Sequence, residues 1–203
     1  MNRMHSLSLG SVWLATVLAS ACCPTQTAFA QGSAKEKELI GVLQSGQPAD
    51  KALACKELAI HGGKASCPEL AKLLSDERLA SWARIALQAI PDPAADEALR
   101  NALGSLHGNL AIGVINTIGV RRDEAAVDQL VARLQDENSE VASASAVSLG
   151  RIGNEPATRA LLQSLSSAPD EVRSAVAEGC ILVAESRLAA EKRAEAIAIY
   201  DKV

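Results

Sequence analysis

One leucine pattern returns along most of this chain at an interval of about thirty residues. Leu58, Leu87, Ile118 and Leu149 stand at successive steps of 29, 31 and 31 residues. Leu70, Leu99, Leu130 and Leu161 keep the same steps, as do Leu74, Leu103, Leu134 and Leu165. One further step of 31 sets Cys180 on Leu149 and Val172 on Val141. A unit this short cannot bury its apolar face alone. It is stable only when copies stack and each covers the next. The pattern therefore implies a linear array rather than a closed core.

The clearest copy is Val141–Leu165, which reads as helix, tight turn, helix. Val141, Ala144, Ser145, Ser148, Leu149 and Ile152 share one face at helical spacing. Their small size lets a second helix approach closely. Gly150 and Gly153 bracket Arg151 and Ile152 near the end of this helix, and glycine there supplies a left-handed cap. Asn154 suits the N-cap of the next helix, and Pro156 is tolerated in its first turn. Thr158, Leu161, Leu162 and Leu165 then form a face that lies back on the first helix.

Composition agrees. The chain is 48% hydrophobic but only 2% aromatic, so its core must be Leu, Ile, Val and Ala, which suits helix packing better than a sheet. A net charge of −4 and three histidines give little basis for a nucleic-acid footprint, and no nucleic-acid partner is expected.

At the N-terminus, residues 1–30 read as an export signal. Arg3 and His5 precede an apolar run from Leu7 to Ala21, short for a membrane span, and Ala28-Phe29-Ala30 suits cleavage before Gln31. The expected location is periplasmic or extracellular, with no integral span after cleavage. Leu18-Ala19-Ser20-Ala21-Cys22 loosely resembles a lipobox, which keeps a lipid anchor at Cys22 as the alternative.

Val172 to Gly179 and Ala146 to Gly153 resemble the HEAT-type repeat, in the short form also found in phycobilisome-lyase-like proteins. The resemblance covers roughly residues 48–185. It implies an all-α, right-handed α-solenoid of about five helix-turn-helix repeats with a concave, partner-binding face. The expected division is a signal at 1–30, a capping helix at 31–46, the solenoid at 47–185 and C-terminal helices at 186–203. Second helices line the concave face in that picture. The outward phase of each offers Glu69, Lys72, Asn101, Gln129, Arg133, Gln163 and Ser164 as candidate partner-binding residues. They are polar and mixed in sign, so the expected ligand is a protein or peptide and the expected role is a non-catalytic scaffold. The alternatives are an accessory subunit of an enzyme, such as a cofactor-attaching or cofactor-presenting lyase factor, and a structural part of a longer envelope protein.

No enzyme activity, cofactor or metal is expected. A structural zinc site wants four ligands, and around Cys55, His61 and Cys67 there is no further His or Cys. Some HEAT-like enzymes hold a di-iron centre with His-Glu dipeptides, and no His here is followed by Glu. Cys55 and Cys67 are instead expected to form a disulfide. Antiparallel helices meeting near His61-Gly62 would set them face to face, and an export compartment permits the bond. The alternative is two small buried thiols. Cys180 reads as a buried free thiol.

The remaining expectations are local. Trp82 falls on the inward face with Leu79, Ile85 and Ala86; Asp96-Glu97 and Arg100 pair along one helix; Asn116 is a buried polar group in an apolar helix. Arg121-Arg122-Asp123 complements helix dipoles, with anion binding as the alternative. Near the end, Ile197, Ile199 and Tyr200 lack a following repeat, which points to self-association through the C-terminal end.

Overall fold

The computed structural model describes residues 24–203. Eleven α-helices and no strands lie among the described residues: α1 Pro24–Ser45, α2 Pro48–His61, α3 Cys67–Lys72, α4 Ala80–Ala89, α5 Pro93–Leu103, α6 Gly108–Arg121, α7 Val127–Arg133, α8 Ser139–Ile152, α9 Glu155–Ser164, α10 Asp170–Ala189 and α11 Arg193–Tyr200. The fold is an all-α solenoid. The first helices α2, α4, α6, α8 and α10 pack neighbour on neighbour, and the short second helices α3, α5, α7 and α9 lie against them. Every registered leucine of the repeat except the half-buried Leu165 is buried, with Leu58, Leu87, Ile118, Leu149, Leu70, Leu99, Leu130 and Leu161 fully so.

Local chemistry sets the boundaries. Asn154 caps α9 by accepting from the Ala157 amide, and Asn138 caps α8 by accepting from Glu140 and Val141. Asp92 caps α5 ahead of Pro93 at the first helical position. Gly153 closes α8 in the left-handed conformation, with φ 64°. Gly150 does something else. It lies inside α8, where a Cβ would come within 2.6 Å of the Gly179 Cα on α10, so it is a helix-contact residue and not a turn residue. Gln47 stands at the N-cap of α2, with Pro48 in its first turn.

Several expected boundaries move. The segment Met1–Cys23, with Arg3, His5, the apolar run and the lipobox cysteine Cys22, lies outside the described residues. Helix α1 runs unbroken through Ala30 and Gln31, the expected cleavage position. The boundary at 185/186 falls inside α10, which has 20 residues where α6 and α8 have 14. That extra length explains why the repeat loses register there: α11 takes the place of a second helix about two turns late. Ala196 and Ile199 of α11 are buried on α10, whereas Ile197 and Tyr200 are exposed.

The cysteines also differ from expectation. Cys55, Cys67 and Cys180 are all buried free thiols, so no Cys55–Cys67 bridge is present. The antiparallel picture omitted the 3-10 turn Lys64–Ser66, which displaces Cys67 to the first position of α3. From there its Sγ donates to the Gly63 carbonyl at 3.4 Å.

Candidate interaction surface

Arginines stitch the repeats together, and they consume most of the polar groups that sequence alone left open. Arg121, at the end of α6, reaches back one repeat. Its Nη1 donates to the carbonyls of Leu87, Gln88 and Ile90, which are the open end of α4, and its Nε and Nη2 bind the Asp96 carboxylate. Arg100 of α5 pairs with Asp123. Asp96 and Arg100 therefore bind across the repeat boundary and not to each other. The Arg121–Asp123 triplet is an inter-repeat clasp rather than only dipole compensation. Arg187 Nη2 donates to the Gly153 carbonyl beyond α8 in the same manner. Inside the stack, Ser148 donates to the Ile115 carbonyl at 3.0 Å and buried Thr117 to Gly113. Asn116 is only half-buried and takes no part in this set.

The seven expected contact residues all lie on second helices, but most are already engaged. Arg133 donates to the carbonyls of Leu103 and Leu106 and pairs with Asp136 at 2.8 Å. That bond, followed by the Asn138 amide, holds the Asp136 carboxyl below its ordinary pKa. Glu69 accepts from Lys72 and from Gln44 of α1, and these two bonds likewise lower its pKa. Gln129 donates to the Arg100 carbonyl, and Ser164 to Ala160. Gln163 is exposed. Asn101 is the exception. It lines a mostly apolar groove of about 410 Å³ between α3 and α5, floored by Pro68, Ala71, Ala94 and Ala98.

The large exposed apolar side chains stand on the first helices instead. Leu53 and Ile60 lie two turns apart on α2 and are 63% and 73% exposed. Trp82 and Ile85 on α4 are 40% and 51% exposed, and Val120 on α6 is 50% exposed. Helix α4 packs against both α2 and α6, so these residues stand on three adjacent helices. Trp82 and Ile85 were expected inside. The buried face of α4 is built from Ala80, Ala83, Ala86 and Leu87. Small residues face the neighbouring helices, because close packing leaves no room for an indole. The available signal was the register: one step of 29 sets Trp82 on Leu53, while the matching positions in later repeats are Gly113 and Ala144.

Among the described residues, no group of three or more His, Cys, Asp or Glu side chains is placed to hold a metal. The buried thiols are poor nucleophiles, since burial pushes Cys55, Cys67 and Cys180 each up to about 11. None of the described helices is long and apolar enough to cross a membrane.

Residues 97–180, from α5 into α10, match the family model for HEAT repeats. No curated protein matches the chain.

Proposed function

We propose that this chain, a HEAT-repeat protein, is a non-catalytic scaffold that binds a protein partner on the outer face of its first helices. HEAT repeats generally serve as protein-interaction scaffolds. The single observation that carries the choice of face is the exposure of Leu53, Ile60, Trp82, Ile85 and Val120 on three adjacent first helices. Large apolar residues clustered in the open mark interaction sites, and tryptophan is the residue type most enriched at their energetic centres. Arg100, Arg133 and Asp96 of the second helices are spent on bonds to the neighbouring repeat, which leaves that face less to offer. The Asn101 groove is the competing surface, and an alanine-lined channel of that size would take a peptide side chain.

The test is site-specific photo-cross-linking in the native cell extract, with the cross-linker at Ile85 in one sample and at Asn101 in another. A discrete adduct from Ile85, lost when Trp82→Ala is added, supports the reading. An adduct from Asn101 alone transfers the function to the second helices, and none from either sinks the scaffold reading. The proposal includes export. N-terminal sequencing of the natural product is expected to start at Gln31, and a lipid on Cys22 would replace secretion by anchoring.

A further inference from the structure

A second cavity, of about 640 Å³, opens between the start of α4 and the start of α6, lined by Glu77, Ser81, Arg84, His107, Asn109 and Leu110 among others. Arg84 is its cation. The guanidinium lies flat on α6, so close that a Cβ on Gly113 would sit 2.6 Å from its Nε. Nη1 donates to the Gly113 carbonyl at 3.2 Å and to the Thr117 hydroxyl at 3.5 Å, which fixes one edge of the fork. The partly buried Arg100, Arg121, Arg133 and Arg187 each have a carboxylate partner. Arg84 has none among the described residues. Its burial is uncompensated by a carboxylate and pushes its pKa down. A half-buried guanidinium with one anchored edge and a roomy polar cavity beside it is prepared to receive an anion.

We propose that this cavity binds a carboxylate of the protein partner, with Arg84 as its cation and the Ser81 hydroxyl as a second donor. The inference rests on the scaffold reading only for the source of that carboxylate. Glu77 on the lining favours a singly charged, planar group over a phosphate dianion, because one guanidinium cannot offset two charges beside a carboxylate. Trp82 and Ile85 are sequence neighbours of Ser81 and Arg84 on α4, so the chain that carries the carboxylate can lay an apolar side chain on these exposed residues.

The experiment is a titration of the isotope-labelled full chain followed by amide NMR shifts. The probes are N-acetyl-leucine, which carries a chain-terminal carboxylate, N-acetyl-aspartate amide, which carries a side-chain one, N-acetyl-leucine amide, and inorganic sulfate. Saturable shifts at Ser81, Arg84 and Asn109 with either carboxylate, weakened about tenfold by Arg84→Gln, support the site and identify the source. Ser81→Glu sets a like charge in the cavity without touching the Arg84 bonds to α6. It must also weaken binding, and it decides the matter if Arg84→Gln does not fold. Equal shifts with the leucine amide, tighter binding of sulfate, no saturable shift, or unchanged binding in Ser81→Glu overturns the proposal. Loss of this site with an intact Trp82-dependent adduct leaves the scaffold reading standing, and the reverse pair of results removes the scaffold reading alone.

Discussion

Arg122 closes α6 in the left-handed conformation, with φ 54°, at the position where Gly153 closes α8. A side chain there costs about 1–2 kcal/mol, and glycine loses about half of that gain again to its own entropy. Arg122→Gly is therefore expected to stabilise the chain by about 0.5–1 kcal/mol, seen as a rise of about 2–3 °C in melting temperature. The thiols make a second test at this scale. Burial disfavours the thiolate of Cys55, Cys67 and Cys180, so native alkylation at pH 8 should be slow at all three and become fast only in denaturant. Fast labelling of Cys67 in the native chain would show that α3 opens locally. Caps such as Asn154 and Gly153 were readable from sequence because their partners lie within one turn. The arginine clasps were not, since Arg121 and Arg133 bind backbone carbonyls a repeat away, and a carbonyl has no residue type. Trp82 was misplaced for a related reason: hydrophobicity alone ranks it as core, whereas the spacing between packed helices admits only alanine.

At the scale of the element, small residues decide how closely the first helices approach. A Cβ on Gly150 would meet the Gly179 backbone oxygen at 2.5 Å, and neither atom can move without its helix. Gly150→Ala should cost about 2 kcal/mol, the strain of separating α8 from α10 less the usual helical gain of alanine. Gly41 in α1 is the control. A Cβ there meets nothing within 4 Å, so Gly41→Ala should stabilise by nearly 1 kcal/mol, and denaturant melts of the two variants should shift in opposite directions. The second helices are tied by charge instead, which gives them a pH dependence. Arg133 depresses the folded pKa of Asp136, so its contribution is present above the unfolded carboxylate value and is lost as pH falls through the lower folded one. Asp136→Asn is expected to cost about 1 kcal/mol at pH 7 and progressively less as pH falls below the ordinary carboxylate range. An equal loss at every pH would mean that packing and not charge is responsible.

Across the whole molecule, stability in such a stack is a sum of repeats and the interfaces between them, so an end repeat with one neighbour is the weakest. Helix α8 is covered by α6 on one side and α10 on the other, and its Ser145, Ser148, Leu149 and Gly150 are all buried. Helix α11 packs mainly on α10, buries only Ala196 and Ile199, and leaves Ile197 and Tyr200 open, as Leu188 of α10 is too. Its one ion pair to α10 is Arg187–Glu195 at 3.4 Å, and the same Arg187 also holds the Gly153 carbonyl. Arg187 thus connects the last helix pair to the repeat before it. Hydrogen exchange should show α11 opening at a free energy well below that of α8, with α10 between them. Arg187→Ala should lower protection in α11 and at the Gly153 turn together while sparing α6. Protection at Ile199 equal to that at Leu149 would show that the end is as firmly held as the middle. The exposed Leu188, Ile197 and Tyr200 would then be covered in solution by something other than α10. Sedimentation over a concentration series would identify a second copy as that cover, and Ile197→Lys would remove it.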